Sequence, residues 1–283
     1  VSDPLSSYYR TKEIYVKLPS GGRWYKNPPK LTADGEIGVY PMSVKDELLL
    51  KIPDTLYNGE ALYEVIQSIA PDIADPYEVV VPDVEVLLLA AKVGQHSGEL
   101  NIAGTCPSCQ KQSQYAIELK NLLARVKELQ EHPLEVELEN GLQITFKPNS
   151  LASVNAGAVK TTESVRLAAA INEGMDPQQA KDIMRDSLEK TTAATLIVLA
   201  DSISQIKTPD DVTVTDMDSI TKWLSNTDAK TMSIIKEHTS TLNTNGVQKE
   251  FTFTCTSCEE DFKAPIEYNP AFFFTHNYDN RMT

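Results

Sequence analysis

No window of this chain holds a dense run of lysine and arginine, and acids outnumber bases 40 to 26, for a net charge of −14. A protein that grips nucleic acid through its phosphates needs a positive footprint, so nucleic acid is not an expected partner. Long apolar runs are also missing. Nothing approaches the roughly 18 uninterrupted apolar residues of a membrane helix, and no membrane association is expected. The opening stretch, VSDPLSSYYRTK, has neither an apolar core nor a cleavage pattern. No secretory signal is expected there, and Val1 reads as the residue after a removed start methionine; the expectation is a soluble chain made inside a cell. The G-x-x-x-x-G-K-[ST] and G-x-G-x-x-G phosphate loops are absent, and nothing resembles a nucleophile elbow or a metalloprotease helix. Turn chemistry accounts for Ser20-Gly21-Gly22. Asp46 and Glu47 fall in the first turn of an expected helix, where acids complement the helix dipole and need no catalytic role. His96, His132, His238 and His276 form no close constellation with one another or with a carboxylate. Without partnered groups, no enzymatic activity is expected.

Cysteine is scarce too, and what there is falls into pattern. The four residues, Cys106, Cys109, Cys255 and Cys258, make two C-x-x-C pairs. A two-residue spacer lets the backbone turn so that both sulfurs of a pair face one point, and four thiolates complete a tetrahedral zinc sphere. Structural zinc is therefore the expected cofactor, with no open position for water or substrate. Free dithiols, a redox pair or an iron–sulfur cluster are the alternatives. A redox C-x-x-C belongs at the start of a helix that lowers its thiol pKa, whereas both pairs here lie between stretches of strand character. The first reads ELNIAGTC, the knuckle, then KQSQYAIEL; the second KEFTFTC, the knuckle, then EEDFKAPIEY. Each is half a zinc ribbon. Between them lie 145 residues, against the roughly 15–20 of an uninterrupted ribbon, so a large insertion is expected.

The rest of the chain reads as an ordinary globular protein, 41% hydrophobic and 23% charged over 283 residues, large enough not to need a metal merely to fold. Residues 1–97 read as a small α+β domain. EIYVKL (13–18) alternates as a strand and breaks at Pro19-Ser20-Gly21-Gly22, and EIGVYPM (36–42) resumes strand character. Ser43, three residues before Asp46, signals a helix start; further helices open at Asn58-Gly59 and near Pro82-Asp83. Ribbon halves occupy 98–118 and 248–268. A connection at 119–148 comprises a helix over LKNLLARVKELQE (119–131) and a hairpin turning at Asn140-Gly141. Residues 149–247 form a helical insert, almost wholly helical by pattern, with one long helix capped at Asp176-Pro177 and running toward Ile206. An aromatic tail, 269–283, carries Phe272, Phe273 and Phe274, which either dock on this chain or fill a partner's groove. The expected fold class is α+β: a small mixed N-terminal unit and a four-cysteine zinc ribbon split by a mainly helical insertion.

The block L-P-S-G-G-R-W-Y (18–25), then G-x-I-x-V-x-P-M-S-x-x-D-E-x-L-L (35–50), then a helix opening with N-G (58–59), resembles the baseplate hub subunit family of T-even-like contractile-tailed bacteriophages. The resemblance covers residues 13–120 best. It implies a non-enzymatic component of the virion tail baseplate, assembled in the host cytoplasm, whose partners are other phage baseplate proteins; it implies no catalytic residues. A homo-oligomer of three or six copies would match baseplate symmetry. The chain is longer than that family leads one to expect, so hub, wedge and assembly chaperone absent from the mature virion all stay open. A zinc-ribbon accessory factor that binds nucleic acid is the rival of a different class, supported by the ribbon and opposed by the charge.

Overall fold

A computed structural model describes residues 4–50, 59–95, 98–129, 134–171 and 175–265. Phe272, Phe273 and Phe274 lie outside the described residues.

The N-terminal unit is built around one buried helix. Strands β1 (Ile14–Lys17) and β2 (Glu36–Val39) pair antiparallel, Val16 opposite Ile37. Helix α1 (Val44–Leu49) starts with a capping box in which Ser43 and Asp46 satisfy each other's backbone amides; the spacing of these two residues encodes it. Helix α2 (Glu60–Ile69) buries Ala61, Val65, Ile66 and Ile69, one face at i, i+4 spacing. Helix α3 (Val81–Gly94), whose VEVLLLAAKVG core has almost no polar stripe, is buried nearly all round. Such a helix belongs at the centre of a core, and α3 contacts β1, β2 and α2.

The turn motif after β1 is fastened to this helix. Asp83, fully buried near the start of α3, accepts hydrogen bonds from the Ser20 amide (2.9 Å), the Ser20 hydroxyl (2.5 Å) and the Tyr25 hydroxyl (2.7 Å). Burial pushes the Asp83 carboxyl up to about 6, against those hydrogen bonds, which favour the carboxylate. The L-P-S-G-G-R-W-Y block is thus a loop whose polar residues close over one buried acid.

Two expectations fail in the middle of the chain. The helix expected over 119–131 is only α4, Leu119–Leu123. Beyond it the Lys127 amide bonds the Gly246 carbonyl and the Leu129 amide the Pro19 carbonyl. Tertiary partners claim the backbone that a continued helix would have used, and Leu129 is buried as a result. The insert is also not almost wholly helical. Its long helix, numbered α6 below, ends at Asp201, not near Ile206, and the next residues form strand β7 (Ile203–Lys207). With β5 (Leu134–Glu137), β6 (Gln143–Phe146) and β8 (Thr213–Val214), it makes an antiparallel sheet in the order β5-β6-β7-β8. The hairpin turning at Asn140-Gly141 is formed, but it belongs to this sheet and is not a connection leading to it. Ile144 pairs with Ile206 and Phe146 with Ile203, across a bulge at Thr145/Phe146. Burial of those apolar side chains offsets the end of the helix.

The sheet shares its core with the C-terminal end of α6 (Pro177–Asp201) and with α7 (Met217–Leu224) and α8 (Ala229–Thr244), while α5 (Leu151–Ala169) packs along α6. The insert has its own core, including Ile144, Phe146, Leu199, Ile203, Ile220, Leu224 and Ile235. Helices α5 and α6 run side by side. A Cβ on Gly157 of α5 would come within 2.8 Å of Val198 Cγ2 on α6, so the glycine sets how closely they approach. Where the helices meet sheet and loop, Asp201 is surrounded by Lys147 Nζ (3.1 Å), the Ser150 amide (2.7 Å) and the hydroxyls of Ser150 (2.9 Å) and Ser153 (2.6 Å). Burial works to raise its carboxyl pKa, but Lys147 and these donors outweigh it and hold the carboxyl below its ordinary value.

Candidate metal centre

Each cysteine pair sits on the tip of a hairpin. The first hairpin is β3 (Glu99–Thr105) with β4 (Gln112–Glu118), the second β9 (Glu250–Thr254) with β10 (Asp261–Pro265). The two knuckles repeat one backbone design. The Cys106 amide bonds the Lys111 carbonyl (3.0 Å) and the Gln110 amide bonds the Cys106 carbonyl (2.9 Å). In the second knuckle, Cys255 with Glu260 (2.9 Å) and Glu259 with Cys255 (3.0 Å) do the same. The residue after the second cysteine is left-handed in both, Gln110 at φ 57° and Glu259 at φ 60°. That conformation is costly for a side-chain-bearing residue, and its repetition ties it to the tight turn that aims both sulfurs one way.

The hairpins form separate two-stranded sheets, and the sulfurs meet between them. Cys106 Sγ lies 3.7 Å from Cys258 Sγ, Cys109 Sγ lies 3.6 Å from Cys255 Sγ, and all four sulfurs fall within 4.8 Å of one another. These separations are far beyond the ~2.05 Å of a disulfide. They match a tetrahedron about a metal ion, since a zinc–sulfur distance of ~2.3 Å gives edges of about 3.8 Å. Cys106 and Cys255 are buried, Cys109 is half-buried and Cys258 is exposed.

The electrostatics favour a cation at the centre. The amides of Ser257 and Cys258 bring the Cys255 thiol down to about 6, and those of Cys109 and Ser108 lower Cys106. Cys258 has the amide of Glu260, but desolvation and the other three sulfurs override it and push its thiol up to about 12. The first thiolates form readily and the last does not, because desolvation and hydrogen bonding of its thiol to the neighbouring sulfurs favour the protonated form of Cys258. A divalent cation among the sulfurs removes that penalty, and four thiolates then leave it no vacant coordination position. Both pairs sit in turns between strands and neither opens a helix, the placement a redox dithiol would need.

The sequence pattern identified all four sulfurs, and the fold brings them together although 145 residues separate Cys109 from Cys255. It gave no sign of the groups that pack around them. Tyr115 of β4 packs tilted against Phe253, ring centroids 4.9 Å apart, and meets Phe262 edge-on at 5.7 Å, filling the space between hairpins. The Ser113 and Thr256 hydroxyls bridge the hairpins at 2.9 Å. The inward alternation of Tyr115 and Ile117 along β4 was the available signal. Of the histidines, His238 is described, and its ring packs near Phe146.

The class these features define is a multi-part α+β protein whose distant segments bring four cysteines together. The chain belongs to the T4 bacteriophage base plate protein family, whose model matches residues 11–274. That match runs through the insert and the second knuckle, well past the N-terminal motifs. Searches of curated proteins and of solved structures give no match.

Proposed function

We propose that this protein is a structural, non-enzymatic component of a contractile phage tail baseplate, in its hub or wedge, and that zinc on the four cysteines staples its scaffold. The family match over residues 11–274 carries the reading. Zinc is the assignment because an all-thiolate tetrahedral donor set suits it, and the coordinated ion would close Cys106, Cys109, Cys255 and Cys258 into one split ribbon. The scaffold would then hold neighbouring baseplate proteins at fixed relative positions.

The α5–α6 hairpin supports an interaction role. Its interior is polar, with the Ser164 hydroxyl bonded to Ser187 (2.8 Å) and Thr191 (2.7 Å). One residue further along each helix, on the flank opposite the Glu163–Lys190 ion pair, Val165 and Leu188 face outward, 62% and 66% exposed, with Met184 one turn from Leu188. The hydroxyls of Thr162, Thr192 and Thr195 turn back onto their own helices' carbonyls, so these residues need no polar partner. Apolar groups outside and hydroxyls inside suit a face covered in an assembly, and a neighbouring baseplate protein is the proposed cover. The phenylalanines Phe272, Phe273 and Phe274 remain proposed partner contacts.

Mass spectrometry of purified virions, with metal analysis of the isolated protein, tests the assignment. The expected result is the chain in particles, in a multiple of three or six copies, with one zinc per chain. Absence from particles overturns the virion role in favour of an assembly chaperone.

A further inference from the structure

One buried group near the sulfurs has no partner. The Tyr115 hydroxyl is shielded from solvent and makes no hydrogen bond among the described residues. Ser113, Cys255 and Cys106 influence its ionisation, Cys255 more than Cys106, but none meets it at hydrogen-bonding geometry. An orphaned buried hydroxyl is destabilising, and the packing does not call for it. The Tyr115 ring fills the gap between Phe253 and Phe262, which a phenylalanine would fill equally well. The hydroxyl therefore has a use that arises only when an acceptor appears. Cys255 supplies one on metal binding, since its sulfur must then be a thiolate and a strong acceptor.

We propose that the Tyr115 hydroxyl is an outer-shell donor to the Cys255 thiolate, engaged when the metal is bound, and that it stabilises the loaded centre against metal loss. This rests on the metal assignment above. A centre of four thiolates around a divalent ion carries a net double negative charge, and donors to sulfur disperse it. The knuckle amides do so for each pair; the Ser257 amide already approaches Cys255 Sγ at 3.4 Å. Tyr115 adds a donor from the opposite hairpin, so metal binding and the closing of one hairpin on the other reinforce each other.

Tyr115→Phe in the full chain tests this. Zinc affinity is measured by competition with a chromophoric chelator, and the thiolate-to-metal charge-transfer band is recorded with Co2+. The expected result is a roughly 10–100-fold loss of zinc affinity and a shifted Co2+ band, while the metal-free variant melts no lower than the metal-free wild type. A hydroxyl that merely sits unsatisfied predicts the reverse: metal-free and loaded forms gain stability alike, and neither affinity nor band moves. That outcome overturns the proposal and leaves the metal assignment standing. A wild-type chain that binds neither Zn2+ nor Co2+ overturns both.

Discussion

Replacing Cys106 with serine removes one of four ligands and with it the closure between the hairpins. The size of the effect follows from the topology. The chain from Cys106 to Cys255 is a loop of 150 residues, and a covalent link across such a span contributes about 5 kcal/mol in the chain-entropy treatment. The fold already holds the loop's ends partly together, through the Tyr115–Phe253–Phe262 cluster and the Ser113–Thr256 bridge. About 2–4 kcal/mol is then the share left to the metal. For a protein of this size that is a fall of roughly 5–15 °C in melting temperature. The loss should fall on the N-terminal core, because Cys106 and Cys255 are packed in it alongside Leu87, Tyr115 and Phe253, while Ile144, Phe146 and Ile220 belong to the insert's separate core. Differential scanning calorimetry with and without chelator reads the effect directly. Chelator should lower the wild-type transition to that of Cys106→Ser and add nothing to the variant. A serine variant that keeps its metal and its melting temperature refutes the staple.

Asp83 sets a pH trend of its own. Its pKa is raised by burial to about 6, so its stabilising contribution is complete below the unfolded value near 4 and is lost as pH rises through 6; integrated, this is of the order of 3 kcal/mol. Chelated protein should accordingly gain stability in urea from pH 7.5 to 4.5, and Asp83→Asn should flatten that slope; an equal slope in the variant contradicts the argument. Asp201→Ala removes the acceptor of two hydroxyls and an amide and strands Lys147, which should cost about 2–4 kcal/mol in the insert's unfolding transition by denaturant titration. Gln110→Gly and Glu259→Gly, each at a left-handed position, should be neutral or stabilise by about 1 kcal/mol with zinc affinity unchanged; a marked loss of metal would show that the side chains matter to the knuckles.

What could be read from the sequence was local. Ser43 and Asp46 specify their capping box within four residues, Asn140-Gly141 specifies a turn within two, and the apolar run of α3 announces burial on every side. The cysteine pattern belongs with these, because ligand type and spacing define a centre without any knowledge of the path between the pairs. What could not be read depended on partners far along the chain. Leu119 to Glu131 has helical periodicity, yet Gly246 and Pro19 take its amides after the first turns. Ile203 and Ile206 fit the end of a helix as well as a strand, and only pairing with Phe146 and Ile144 decides between them. Asp83 carried the mark of a helix start, but nothing near it in sequence revealed Ser20 and Tyr25 as its donors.

The insert is held at its roots by more than the cysteine cluster, and this bears on how a force or a partner at its far end would be felt. Where the chain enters, the Val81 amide bonds the Asn149 carbonyl (2.9 Å) and the Leu151 amide the Val79 carbonyl (2.7 Å), so the start of α5 is hydrogen-bonded to the start of α3. Where it leaves, Asn243 of α8 exchanges amide contacts with Asn149, at 2.9 and 2.5 Å. Lys249 then pairs with Glu85 of α3 at 2.7 Å, just before β9 begins. Entry and exit are thus fixed to the same buried helix whose first turn holds the Ser20-Tyr25 loop, and the hairpin that follows brings Cys255 and Cys258 to the cysteines of the earlier one. A contact on the exposed face of α5 and α6 therefore reaches the N-terminal core through these hydrogen-bonded segments. In a baseplate component that arrangement transmits position, and loosening either the Asn149–Asn243 pair or the metal centre should reduce it.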